Sequence, residues 1–139
     1  MRPQVSLMIV AMLSDASAHA ADSLPLQRGY YVQSDTSCQR ASNATISLYD
    51  GVSFGAAHVE CRKPVIRKTP DGTYQMTERC RDMQGNGASW ETFKSSYVFK
   101  SRTEFVETTS YGTFSFRYCK QSDLSEPWST NDLSALGIK

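Results

Sequence analysis

The sequence predicts an all-β domain: a small antiparallel β-barrel or a strongly curved meander sheet of about eight strands, with two disulfides and a short C-terminal helical turn. Three observations predict it. Short β-like runs alternate with turn signals about every ten residues. Period-two apolar patterning is clearest in Phe93, Tyr97, Phe99 and in Phe114, Phe116, Tyr118, and no helical repeat of comparable strength precedes the C-terminus. All four cysteines lie downstream of an apolar leader.

Residues 1–20 have the three parts of an export signal. Arg2 supplies positive charge, residues 5–13 are an apolar run, and the stretch from Ser14 turns small and polar. Ala18-His19-Ala20 and Ala16-Ser17-Ala18 both fit a small-x-small cleavage rule, so the expected cut falls after Ala18 or Ala20. The run is about half the ~20 apolar residues that a bilayer span needs. The expected plan is a cleaved signal peptide over 1–20 and one β domain over 21–139, with a tail at 121–139. The location it implies is the periplasm or the exterior.

Expected strands occupy 28–33, 44–50, 52–61, 64–68, 73–80, 91–100, 103–108 and 113–119. Lys94, Ser96, Ser115 and Arg117 fall on the face opposite the aromatics. Asp50-Gly51 reads as a two-residue hairpin turn, setting Tyr49 opposite Val52 and Ser47 opposite Phe54. Thr69-Pro70-Asp71-Gly72 is a second tip. There Gly72 suits the left-handed position of a type I turn with a G1 bulge, which sets Ile66 opposite Met76. In the tail, Glu126-Pro127-Trp128 reads as an extended turn. Asn131 or Asp132 would cap a helical turn through Leu133 and Leu136 that ends at Gly137. Trp128, Leu133 and Leu136 are expected to cover one end of the core. Barrel and two-layer sandwich are not separable at this level.

An even cysteine count in an exported chain reads as two disulfides. The 50–51 hairpin brings Cys38 toward Cys61, and the 69–72 bulge sends Cys61 and Cys80 to opposite faces. The preferred pairing is therefore Cys38–Cys61 with Cys80–Cys119. Cys61–Cys80 with Cys38–Cys119 is the alternative. No two cysteines lie close enough in sequence for a C-x-x-C zinc pattern, so no metal and no cofactor are expected.

Fifteen Lys+Arg against 14 Asp+Glu leave a net charge of +1. Such a balance argues against nucleic acid as the partner. His58 is the only histidine outside the leader, which excludes two-histidine acid–base chemistry. On an unbroken strand His58 and Glu60 share a face and form a weak candidate for a general base. No Gly-x-Ser-x-Gly elbow or phosphate loop is present. The residues Arg62, Lys63, Arg67, Arg79 and Arg81, with Lys68, form a basic cluster interleaved with Glu60, Asp71, Glu78 and Asp82. It is a candidate surface for a glycan, a phosphate or an acidic protein. Residues 82–90 are the most loop-like stretch and end on Trp90, a candidate contact. Asn43-Ala44-Thr45 is an N-glycosylation sequon, meaningful only in a eukaryotic host.

The pattern Arg28-Gly29-Tyr30-Tyr31-Val32, followed by Cys38, Ala41-Ser42-Asn43-Ala44-Thr45 and Glu126-Pro127-Trp128, resembles small uncharacterised exported proteins of alphaproteobacteria. The resemblance implies a Gram-negative periplasm and brings no activity or site residues. Periplasmic lysozyme inhibitors are a fold-level analogy only. The function expected is a non-enzymatic periplasmic or secreted binding module for a protein or envelope component, with an inhibitor-like role as one version. A small hydrolase using His58 and Glu60, or a structural envelope protein, is the alternative.

Overall fold

The computed structural model describes residues 17–55, 58–85 and 89–138. Most of the expected leader, residues 1–16, lies outside them. The described chain is all-β: a ten-stranded antiparallel sheet curled into a half-barrel. In chain order the strands are β1 (His19–Ala21), β2 (Gly29–Gln33), β3 (Ile46–Tyr49), β4 (Phe54–Gly55) and β5 (Val59–Cys61). They continue with β6 (Val65–Lys68), β7 (Tyr74–Asp82), β8 (Glu91–Phe99), β9 (Glu104–Thr109) and β10 (Gly112–Cys119). Nine of them lie in the order β1-β6-β7-β8-β9-β10-β2-β3-β4, and β5 pairs with β7 beyond the end of β6. The expected strand at 52–61 is thus two strands. Its halves join opposite ends of the sheet, with a corner at His58, where φ is 63°. Gly55 and Val59 are four residues apart, a reach of at most ~14 Å, so a short covalent strap links the two ends.

Alternation along the strands sorts residues between two faces. The concave face carries an aromatic core in which Tyr31, Tyr49, Tyr97 and Phe105 are almost fully buried. Ring centroids lie 5.3 Å apart for Tyr31–Phe105 and 5.1 Å for Phe105–Phe116. Leu24 and Leu26, in the segment between β1 and β2, pack into the same core. The Tyr49 hydroxyl ties that segment down by accepting from Leu24 N (3.1 Å) and donating to Leu24 O (3.2 Å). Gly29 leaves room for the Tyr118 ring of β10: a Cβ there would lie 2.6 Å from that ring, and its φ is +134°.

A second core lies on the opposite face of β2, β3 and β10. The tail folds over that face, burying Leu124 and Leu133 against Tyr30, Val32 and Cys119, with Trp128 and Leu136 packed alongside. The helical turn is a single 3-10 turn at Ser134–Leu136. Asp132 accepts from Ser134 N (2.9 Å) and Gly137 ends it at φ 70°. Trp128, Leu133 and Leu136 therefore cover the back of the sheet and not one end of the concave core. β2 is consequently buried on both faces, which is why its sequence is apolar at consecutive positions.

The disulfides are Cys38–Cys119 and Cys61–Cys80, which corrects the preferred pairing. Two local features explain the difference. The Asp50-Gly51 hairpin has a four-residue loop, not a two-residue one. Asp50 Oδ1 accepts from Val52 N (2.7 Å) and Ser53 N (2.8 Å), and Tyr49 pairs with Phe54. The shift of two positions keeps every side chain on its expected face. β4 ends at Gly55, however, and the chain turns at His58 to place Cys61 on β7, opposite Cys80 and not Cys38. The second hairpin follows expectation through its tip: Gly72 adopts φ +86° and Ile66 faces Met76. A further bulge then intervenes. Arg62 N donates to Arg79 O (2.9 Å) while Val65 pairs with Thr77, so Lys63 and Pro64 together oppose Glu78. That extra residue restores Cys61 to the position opposite Cys80. No helix among the described residues is long and apolar enough to cross a membrane.

Candidate functional site

The strand that organises both faces of the candidate site is β7. Tyr74, Met76, Glu78 and Cys80 point to the concave side, and Gln75, Thr77, Arg79 and Arg81 to the convex side. Its cross-strand partners on β8 continue the division: Glu91 opposes Cys80 and Lys94 opposes Thr77. Glu78, Glu91 and Glu107 thus lie on the concave side, and Arg79, Arg81 and Lys94 on the convex side.

On the convex side Glu60, Arg81 and Trp90 lie in one row. Glu60 is the register partner of Arg81 on β5, and one further step of the β7–β8 register sets Trp90 opposite Arg81. Arg81 donates from Nε (2.8 Å) and from its terminal nitrogen (2.6 Å) to Glu60 Oε2. Its guanidinium carbon lies 4.9 Å from the centre of the Trp90 ring, and that of Arg62 lies 4.5 Å from it. Two arginines are thus held against one indole, a cation–π arrangement that fixes their planes while leaving hydrogen-bond donors free. Arg79 continues the row of Arg62, and Arg67 opposes Gln75 further along the same face. Lys63 sits in the bulge, and Lys68 turns to the concave side, 5.5 Å from the Tyr74 ring.

Of the expected site residues, the structure brings together Arg62, Arg81 and Trp90, with Glu60 as their acidic partner. Arg67 and Arg79 share the face without touching the indole. His58 is not brought to Glu60. It occupies the left-handed corner before β5 and its carbonyl accepts from Met83 N (2.8 Å), while the Glu60 carboxylate is engaged by Arg81. The shared-face expectation required an unbroken strand, and the chain turns at His58 instead.

The concave side holds a set that the sequence reading did not isolate. Glu78 Oε1 is buried with no hydrogen-bond partner among the described residues. Burial pushes its carboxyl up to about 7, and the negative charges of Glu107 and Asp50 add to the effect. Tyr97 donates to Glu107 Oε1 (2.8 Å), and burial followed by the Glu107 charge raises the Tyr97 phenol. An open groove of about 740 Å³ runs beside this set, lined by Glu91, Phe93, Ser95, Glu107 and Tyr111 among others. A Glu78 carboxylate oxygen also lies within 4.8 Å of both sulfurs of the Cys61–Cys80 bridge. With sulfur bonded to sulfur, the pair offers no thiolate to a metal. The available signal was parity: Glu78 falls in step with Tyr74, Met76 and Cys80, a carboxylate on the apolar side of its strand.

Compared with known protein families, curated proteins and solved structures, the chain matches none.

Proposed function

We propose that the protein is a non-enzymatic binding module of the periplasm or the exterior, and that it takes an anionic envelope glycan on its convex face. The observation that carries this reading is the pair of guanidiniums, Arg62 and Arg81, set 4.5 and 4.9 Å from the one Trp90 ring. Planar arginines held in place recognise carboxylate or phosphate oxygens with little further loss of freedom. Three further features support it. Aromatic side chains fill the concave core, which directs binding to the surface. The two disulfides fit an oxidising compartment outside the cytoplasm. Glu60 is committed to Arg81, which takes the carboxylate from the His58–Glu60 hydrolytic alternative.

Titration of the purified protein with lipopolysaccharide, a phosphate-bearing glycan, and with polygalacturonate, a carboxylate-bearing one, tests the reading against neutral dextran. Binding of at least one anionic polymer at 0.1 M salt is expected. The double variant Arg62→Ala/Arg81→Ala should weaken it by about tenfold or more, in line with losing two charge-assisted contacts. Equal binding by the double variant, or binding of dextran alone, defeats the proposal.

A further inference from the structure

We propose that the Cys61–Cys80 disulfide is a reducible clasp, with the Glu78 carboxyl as its proton donor, and that it controls whether the Arg62–Trp90–Arg81 platform is assembled. The last step rests on the reading of that platform as the binding site; the chemistry of the clasp does not.

The two disulfides are placed differently. Cys119 lies in the second core beneath the tail, 1% exposed, and Arg117 reaches across its bridge to hydrogen-bond Thr36 O (2.7 Å). Each bridge joins a half-buried cysteine, Cys38 or Cys61, to a buried one, Cys119 or Cys80, and Cys61 ends the three-residue strand β5. Cys80, its partner, has Glu91 as its neighbour on β8, and Glu91 lines the open groove. The bridges therefore differ in surroundings and not in exposure: the Arg117 guanidinium lies against the sulfurs of Cys38–Cys119, and the Glu78 carboxyl lies beside those of Cys61–Cys80.

Glu78 is placed for the proton. One of its oxygens lies within 4.8 Å of both sulfurs, and Oε1 has no hydrogen-bond partner among the described residues. The charged and titratable groups that face it are Glu107 on β9, Asp50 in the β3–β4 turn and Tyr97 on β8. Its register partner on β8 is Phe93. No cation among these groups holds Glu78 ionised, and its carboxyl keeps its proton up to about pH 7.

The reductant is a dithiol. Its first thiolate attacks Cys61 Sγ and the Sγ–Sγ bond breaks. Cys80 leaves as a thiolate and takes the Glu78 proton. The second thiol of the reductant then attacks the mixed disulfide, releasing Cys61, which is protonated from solvent. Two electrons pass from the dithiol to the protein. The dithiol becomes a disulfide, and Glu78 recovers a proton from those the dithiol released.

The consequence for the platform follows from position. β5 is held on β7 by three register pairs, one of which is the disulfide and one the exposed Glu60–Arg81 pair. Arg62 is the next residue after Cys61. Opening the clasp leaves the backbone that sets the Arg62 guanidinium on Trp90 held by hydrogen bonds alone, among them Arg62 N to Arg79 O.

Dithiothreitol reduction of the native protein from pH 5.5 to 8.5, followed by alkylation and mass analysis, tests the clasp. Cys38–Cys119 serves as the internal control. Cys61–Cys80 should open about tenfold faster or more. Corrected for dithiothreitol ionisation, the wild-type rate should step down near pH 7. Glu78→Gln should flatten the profile, slower than wild type below the step and faster above it. Glu107→Gln should move the step to lower pH. Equal opening of both bridges, or the same profile in Glu78→Gln, overturns the clasp. In a Trp128→Phe background Trp90 is the sole tryptophan, and its emission should change on selective reduction; an unchanged spectrum overturns control of the platform. A clasp that opens as described in a protein that binds neither glycan when oxidised would defeat the binding proposal and leave the redox step standing.

Discussion

Cys61 faces Cys80 because Lys63 and Pro64 together occupy the space that Glu78 alone occupies on β7. The bulge absorbs the residue by which the Gly72 turn displaces the register. Deleting Lys63 should therefore leave a regular ladder, with Pro64 opposite Glu78 and Cys61 still opposite Cys80. Pro64 lacks an N–H, but β1 pairs only from Ile66 onward, so no donor is missed there. Peptide mapping of this variant should recover the Cys61–Cys80 bridge; free thiols at both positions would show that the bulge does not set the pairing.

The two bridges should contribute unequally to stability. They span 81 and 19 residues. In the loop-entropy description these separations correspond to about 4.5 and about 3 kcal/mol. Urea unfolding of Cys38→Ala/Cys119→Ala and Cys61→Ala/Cys80→Ala should place the first variant lower, and the reverse order would contradict this assignment.

Glu78 gives the stability a pH dependence of definite sign. The folded chain holds the Glu78 proton up to about pH 7, against an ordinary value of 4.5. Its contribution is therefore fully present below about pH 4.5 and is lost as pH rises through about 7. Glu78→Gln should melt a few degrees above wild type at pH 8 and close to it at pH 4.5. Thermal melts at the two values check this, and a gap of the same size at both would refute it.

Gly29→Ala should be strongly destabilising. The new methyl would lie 2.6 Å from the Tyr118 ring at a φ of +134°, in a strand buried on both faces. A loss of about 2–3 kcal/mol in urea unfolding is expected. A loss below about 0.5 kcal/mol would mean that Tyr118 can turn aside.

If the expected leader is cleaved, the cut should fall after Ala18. His19, Ala20 and Ala21 pair with Lys68, Arg67 and Ile66, so a cut after Ala20 would remove two of the three residues of β1. That cut keeps His19 in the chain, so His58 would not be its only histidine, and the intact mass of the protein recovered outside the cytoplasm decides between the two positions.

The strand plan was legible because side-chain alternation is a local property: Tyr97 and Phe116 read as buried from their neighbours alone, while Phe93, in step with Tyr97, is 37% exposed near the start of β8. The Gly72 turn was legible for the same reason, since a positive φ selects glycine. The basic residues of the convex face were visible as a cluster, yet their grouping on Trp90 was not, because it depends on three strands lying side by side. Glu78 was missed by counting charges along the chain, where Arg79 and Arg81 appear to neutralise it; they point to the other face of the sheet.

By itself the sequence determined an all-β chain with two disulfides, and it determined which side chains share a face within an unbroken strand, because a strand repeats every two residues wherever it lies. Only the tertiary structure decided how far each strand slides against its neighbour. The four-residue loop at Asp50 and the bulge at Lys63-Pro64 each changed a register, and with it the partner of every cysteine. Register is set by backbone hydrogen bonds and core packing between segments far apart in sequence, so a one-residue shift leaves almost no local trace. That shift placed Cys61 against Cys80 and brought the Glu78 carboxyl beside both sulfurs.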